Sequence, residues 1–180
     1  MRFASIRKMD ISNGSGIGIA VFTQGCPIRC KNCFNQETWA FDEGKEWTQE
    51  CEDKVVELSK PEHIVRMSIL GGEPLIDRNI APLTKLIRRV KDVNNAKNFK
   101  IWLYTGQLYE NVIKKYPTLL ALVDVLVDGP FVDELKDFKL HWRGSSNQRV
   151  INMNATRACE KVILVEEHYP YDGLVENEFY

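Results

Sequence analysis

Four short runs carry most of the uninterrupted apolar character of the chain: "GIAVFTQG", "VRMSILGGEP", "KIWLYTG" and "DVLVDGP". Within each run the apolar residues are nearly continuous rather than alternating, as expected of strands buried on both faces. Each run then ends in glycine, the residue that most readily turns a strand into a loop. The runs predict four parallel strands. The segments between them have helical periodicity. "TQECEDKVVELSK" offers Thr48 as an N-cap, and "APLTKLIRRVKDV" places Pro82 near the first turn with Leu83, Leu86, Ile87 and Val90 on one face. A third helix is expected to start near Leu108. Strands alternating with helices give crossover units and a parallel sheet, with ligand contacts at the carboxyl ends of the strands. A complete eight-unit barrel takes about 250 residues. A chain of 180 residues builds part of one, so the expected fold is α/β, a partial (β/α) barrel of parallel strands.

Composition narrows the setting. With 44% hydrophobic and 27% charged residues, the expected organisation is one domain over residues 1–180, with a C-terminal extension from about residue 152. The formal net charge is −1, and lysine and arginine are spread along the chain, so no basic stripe argues for nucleic acid. Neither a signal-peptide core nor a run of about 18 apolar residues is found, and a soluble, cytoplasmic protein with no membrane contact is expected. In a reducing compartment the 5 cysteines argue for metal or redox chemistry rather than for disulfides.

Three of them, Cys26, Cys30 and Cys33, fall in "GCPIRCKNCFN", on the loop leaving the first apolar run. Structural zinc would want a fourth ligand, usually from a second paired motif. His63, His141 and His168 stand alone, and Cys51 and Cys159 lack partners. A four-iron cluster held by three thiolates instead keeps one iron open to an added ligand. The competing reading is three buried free thiols.

The spacing C-x-x-x-C-x-x-C after a strand resembles the signature of the radical S-adenosylmethionine enzymes. "GGEP", Gly71 to Pro74, resembles their second motif, which holds the methionine amino group, although alone such a string is most often a tight turn. The leader "NGSGIGIAVFTQGCPIRC" is similar to that of the glycyl-radical-enzyme activases. "CFNQETW", "VLVDGPFVDELKD" and "WRGSSNQRVI" resemble the branch that serves anaerobic ribonucleotide reductases. The resemblance runs from about Asp10 to Ile151.

It implies a 4Fe-4S cluster on Cys26, Cys30 and Cys33, S-adenosylmethionine held by Gly71, Gly72 and Glu73, and a partial barrel of the radical type. It also implies two partners: an anaerobic ribonucleoside-triphosphate reductase as protein substrate, and an electron donor such as flavodoxin or ferredoxin. Thr105 and Asp128, each before a glycine at a strand end, are candidate ribose or amino-acid contacts and equally good turn formers. Two positions depart from the family pattern. The leader usually carries an arginine where this chain has Gly18, and an aromatic facing adenine usually stands where it has Asn32, leaving Phe34 as the available ring or as a core residue. Arg143 and Arg149 would pair with the cofactor carboxylate or with the partner. The tryptophans are expected to pack, "WRGSSNQRV" to be a surface loop, "KVILVEE" to add a strand, and the acidic remainder to be solvated. A small-molecule radical enzyme of the deazapurine-synthase type and a non-enzymatic iron-sulfur carrier are the rival functions.

Overall fold

The computed structural model describes residues 1–165. One sheet of seven strands organises them: β1 (Arg2–Asp10), β2 (Gly18–Thr23), β3 (Lys45–Glu46), β4 (Arg66–Gly71), β5 (Lys100–Tyr104), β6 (Val125–Asp128) and β7 (Arg149–Asn152), in the order β3-β1-β2-β4-β5-β6-β7. The four apolar runs are the four parallel neighbours β2, β4, β5 and β6. Three strands lie outside the sequence expectation. β1 and β7 pair antiparallel on the two sides of the parallel set, and β3 pairs antiparallel with β1. β1 escapes notice because Phe3 and Ile6 are interspersed with Arg2, Arg7 and Lys8. The second half of "WRGSSNQRVI" is not surface loop, since Arg149–Asn152 closes the sheet edge as β7, with Val150 and Ile151 buried.

Helices α1 (Gln49–Ser59), α2 (Asp77–Val93), α3 (Tyr109–Lys115), α4 (Pro117–Leu120) and α5 (Met153–Cys159) connect or follow the strands. Thr48 caps α1 as expected, its hydroxyl accepting the Cys51 N–H at 3.2 Å. α2 begins earlier than Pro82 suggests. Its first residue is Asp77, and Pro82 lies inside the helix, where it lacks the N–H that would bond the Arg78 carbonyl; the earlier turn is anchored by Asn79, whose Nδ2 donates to the Glu73 carbonyl at 3.3 Å. Met153 of α5 is fully buried in the main core, so the segment past residue 152 opens as a packed helix. Of "KVILVEE", the part through Val165 makes one bridge, Ile151 to Leu164. Glu166, Glu167 and the acidic remainder lie outside the described residues. No helix among the described residues is long and apolar enough to cross a membrane.

Alternation along the strands gives the sheet two unlike faces. Ile19, Val21, Met67, Ile69, Ile101 and Leu103 point to one side, where Leu83, Leu86, Ile87 and Val90 of α2 complete the main core. Ala20, Phe22, Leu70, Trp102 and Val127 point to the other, with Tyr104 packed among them. That second face carries no helix of the main core, and it becomes the floor of a cavity.

Candidate cluster and cofactor site

A cavity of about 420 Å³ lies over the helix-free face and is bounded by the loops that follow β2, β4, β5 and β6. Cys26, Cys30 and Cys33 all line it, as do Gly71, Gly72, Glu73, Thr105 and Phe34. The structure therefore gathers most of the residues singled out in the sequence around one volume.

The loop after β2 owes its shape to main-chain bonds. Gly25 has φ +96°, a conformation that glycine adopts freely, and its N–H donates to the Thr38 carbonyl at 2.7 Å. The Cys26 N–H donates to the Trp39 carbonyl at 3.1 Å. Arg29 and Asn32 take left-handed conformations that curl the loop between the cysteines. Across from it, the Gly72 N–H donates to the Thr23 carbonyl and the Glu73 N–H to the Gly25 carbonyl, each at 2.9 Å. The two loops approach so closely that a Cβ on Gly72 would lie 2.5 Å from the Gly25 oxygen. Glycine is the residue this contact admits.

Glu73 is 1% exposed. Its Oε1 accepts the Leu75 N–H at 2.8 Å and the Thr105 hydroxyl at 2.9 Å, while Oε2 accepts the Gly106 N–H at 2.9 Å. Burial pushes this carboxyl above its ordinary value, and those donors work in the opposite direction. Thr105 thus enters the site through Glu73, and the carboxylate locks the loop after β4 to the loop after β5.

Cys26 is buried and Cys30 and Cys33 are half-buried. Burial raises the Cys26 and Cys30 thiols above their ordinary value. Nearby backbone amides oppose it, those of Arg29 and Ile28 at Cys26 and that of Phe131 at Cys30. The Asn35 N–H reaches the Cys33 sulfur at 3.4 Å. Amide donors aimed at sulfur are the usual protein contribution to an iron-sulfur centre, where they stabilise thiolate charge. Among the described residues no three His, Cys, Asp or Glu side chains converge on a single metal ion. A cubane makes no such demand, because its thiolates bind different irons. The three sulfurs, on one loop and lining one cavity, fit a cluster with three protein ligands.

Two expected contacts lie elsewhere. Asn32 turns away from the cavity, and its Nδ2 donates to the Asp133 carboxylate at 2.6 Å. Asp128 is fully buried outside the lining, paired with Arg149 through both oxygens and accepting the Tyr109 N–H at 2.8 Å. Arg149 also grips Glu110 at 2.9 Å, so both residues serve as a brace between β6, β7 and α3. Arg143 lines the cavity and Phe34 sits at its edge, half exposed, its ring 5.1 Å from that of Phe131.

The segment between β6 and β7 contributes more than the sequence reading allowed. Phe131, Phe138, Leu140 and Trp142 line the cavity, and Trp142 packs on Trp102 with ring centroids 5.0 Å apart. Gln148 holds this segment to the sheet, donating to the Gly129 carbonyl at 3.0 Å and accepting the Gly144 N–H at 2.9 Å. Lys31 to Glu134 at 2.9 Å, together with Asn32 to Asp133, ties it to the cysteine loop. The available signal was its aromatic content within a polar stretch.

The three cysteines share the loop that leaves the first parallel strand of an α/β sheet, and the chain belongs to the 4Fe-4S single cluster domain family, whose match covers residues 12–151. The chain is 39% identical over 150 residues to the anaerobic ribonucleoside-triphosphate reductase-activating protein of Vibrio cholerae, covering 82% of this chain and 96% of the relative. The protein of the same name from Salmonella typhi is 37% identical over 83% of this chain and 97% of its own length, and that of phage T4 is 33% identical over 83% and 93%. The chain belongs to the family of anaerobic ribonucleoside-triphosphate reductase-activating proteins.

Proposed function

We propose that this protein is a radical S-adenosylmethionine activase that installs a glycyl radical on an anaerobic ribonucleoside-triphosphate reductase. The observation that carries the reading is the double main-chain staple between the cysteine loop and the Gly71–Glu73 loop, which fixes a cluster-type ligand set beside a glycine-rich wall in one cavity. Cys26, Cys30 and Cys33 would hold a 4Fe-4S cluster and leave one iron for the methionine end of the cofactor. The carbonyls of Gly71 and Gly72 would be the acceptors for the methionine ammonium, on a loop that Glu73 ties to Thr105 and Gly106. Bound together, the cluster and S-adenosylmethionine would supply one-electron reductive cleavage of the cofactor and, through it, removal of a hydrogen atom from the reductase glycine.

The chain's own contribution is to orient and to exclude water. The apolar floor of Phe22, Leu70 and Val127 and the cover from Phe131 to Trp142 leave a lined space with an open rim for a protein segment. The four parallel strands are, in this reading, the partial barrel of that enzyme class, in a soluble cytoplasmic protein that draws its electron from a flavodoxin or ferredoxin. Mixing reconstituted protein, cognate reductase, reductant and S-adenosylmethionine without oxygen should give a glycyl-radical doublet by electron paramagnetic resonance. Cofactor cleavage without that doublet would favour a small-molecule radical enzyme, and no cleavage at all would leave an electron carrier.

A further inference from the structure

Beneath the cavity floor lies a charged group that the reaction does not explain. Arg66 is fully buried, on the cavity side of β4, two residues below Ser68 and four below Leu70. Its Nη2 donates to the Asp10 carboxylate and to the Asp10 carbonyl, both at 2.8 Å, and its Nη1 donates to the Ser68 hydroxyl at 2.6 Å. Ser68 in turn donates to the Asn13 carbonyl at 2.5 Å. Asp10 closes the ring by accepting the Asn13 N–H at 3.0 Å and the Asn13 Nδ2 at 2.7 Å.

These bonds fold the segment between β1 and β2 over the lower half of the cavity face. Gly14, with φ +134°, lies against the arginine, and a Cβ there would come within 2.9 Å of Arg66 Cδ and of the Trp102 ring. Gly18 stands opposite Arg66 in the parallel register, and a Cβ on it would lie 2.3 Å from Arg66 Cγ. The folded segment presents Ser12 and Asn13 to the cavity. Above it the floor is Phe22 and Leu70; below it the strands are covered.

We propose that Arg66 is a positioning residue which, through Asp10 and Ser68, holds Ser12–Gly14 as the end wall of the cavity and so sets how deeply an incoming segment can enter. Gly14 and Gly18 make room for the arginine. A lysine replaces the planar fork by one ammonium and cannot reach Asp10 and Ser68 from two separate nitrogens, whereas alanine at Ser68 keeps the ion pair to Asp10 and removes the hydroxyl that links Arg66 Nη1 to the Asn13 carbonyl. The functional consequence rests on the activase reading; the wall itself does not.

Two variants, Arg66→Lys and Ser68→Ala, test it in the cluster-loaded protein. Amides of residues 13–18 should exchange with deuterium about tenfold faster in each, because a strong hydrogen bond that restrains the segment is lost. With the reductase present, each should consume more S-adenosylmethionine per glycyl radical formed than wild type, at unchanged cluster iron. Unchanged exchange in both variants overturns the wall. Faster exchange with an unchanged ratio of 5′-deoxyadenosine to glycyl radical overturns its role in positioning. If wild type itself yields no glycyl radical, the activase reading fails, and the exchange data still judge the wall.

Discussion

The Thr105 hydroxyl donates to Glu73 Oε1 at 2.9 Å, joining the ends of two neighbouring strands beneath the cavity. With the Leu75 and Gly106 amides also pointing at this carboxylate, every acceptor is committed to a donor. Glutamine at position 73 would turn an NH2 group toward one of those donors. Glu73→Gln should therefore destabilise the protein by about 1 to 3 kcal/mol. Thermal unfolding followed by circular dichroism measures it, and an unchanged midpoint would mean that the carboxylate is not what joins the loops.

Cluster iron should depend on three cysteines and on no others. Alanine at Cys26, Cys30 or Cys33 should abolish iron binding in the reconstituted protein and cofactor cleavage with it. Cys51 lies within α1 and Cys159 at the end of α5, and neither lines the cavity. The double variant Cys51→Ser/Cys159→Ser should keep its iron. Iron analysis and the visible absorption of the cluster decide between these outcomes, and loss of iron in the double variant would point to a fourth thiolate.

Gly72→Ala should cost about 1 to 3 kcal/mol, because the added methyl would overlap the Gly25 carbonyl and the backbone must shift to admit it. Both loops move together, so cofactor affinity should fall along with stability. Titration calorimetry with S-adenosylmethionine checks the second part; wild-type affinity would show that the staple is dispensable.

Acid should weaken the Asp10–Arg66 pair. Burial alone would raise the Asp10 carboxyl, but hydrogen bonds from Arg66 and Asn13 outweigh it and hold the group below its ordinary 3.8. The folded state then binds this proton less readily than the unfolded chain. Its stabilisation is complete above the ordinary value and is lost as pH falls through the lower folded value. Asp10→Asn should flatten that acid limb, and near neutrality it should cost about 3 to 5 kcal/mol by leaving Arg66 buried without a counter-charge. Melting curves of both proteins across acidic and neutral pH supply the comparison.

Asn32→Ala should leave S-adenosylmethionine affinity unchanged, since the side chain faces Asp133 rather than the cavity. The exposed contact is worth less than about 1 kcal/mol of stability. A marked loss of affinity would return Asn32 to the role its place before the third cysteine suggested.

The sequence exposed what short-range chemistry controls. Cysteine spacing, glycine after an apolar run and Thr48 before a helix each state their meaning within a few residues, and the four parallel strands follow from such runs. What remained hidden depends on contacts distant along the chain. Asp128 before Gly129 has the form of a ligand position, and only the arrival of Arg149 from β7 shows it to be a brace. β1 was masked by charges on its exposed positions, and β7 by the polar stretch before it. Glu73 stands out in the sequence through the glycines before it and lines the same cavity as the cysteines, while its attachment to Thr105 and Gly106 needed the register of β4 and β5.

The fastening of the cysteine loop, made almost wholly of peptide groups at Gly25, Cys26, Gly72 and Glu73, bears on how such a protein can drift over time. A bond from amide to carbonyl does not depend on which side chain the residue carries. An exposed position such as Pro27 can thus be exchanged for other residues while the sulfurs stay where they are, whereas Arg29 answers to its left-handed backbone and Lys31 to its pair with Glu134. The cost of that freedom falls on the glycines, where the main chains touch and no substitution is silent.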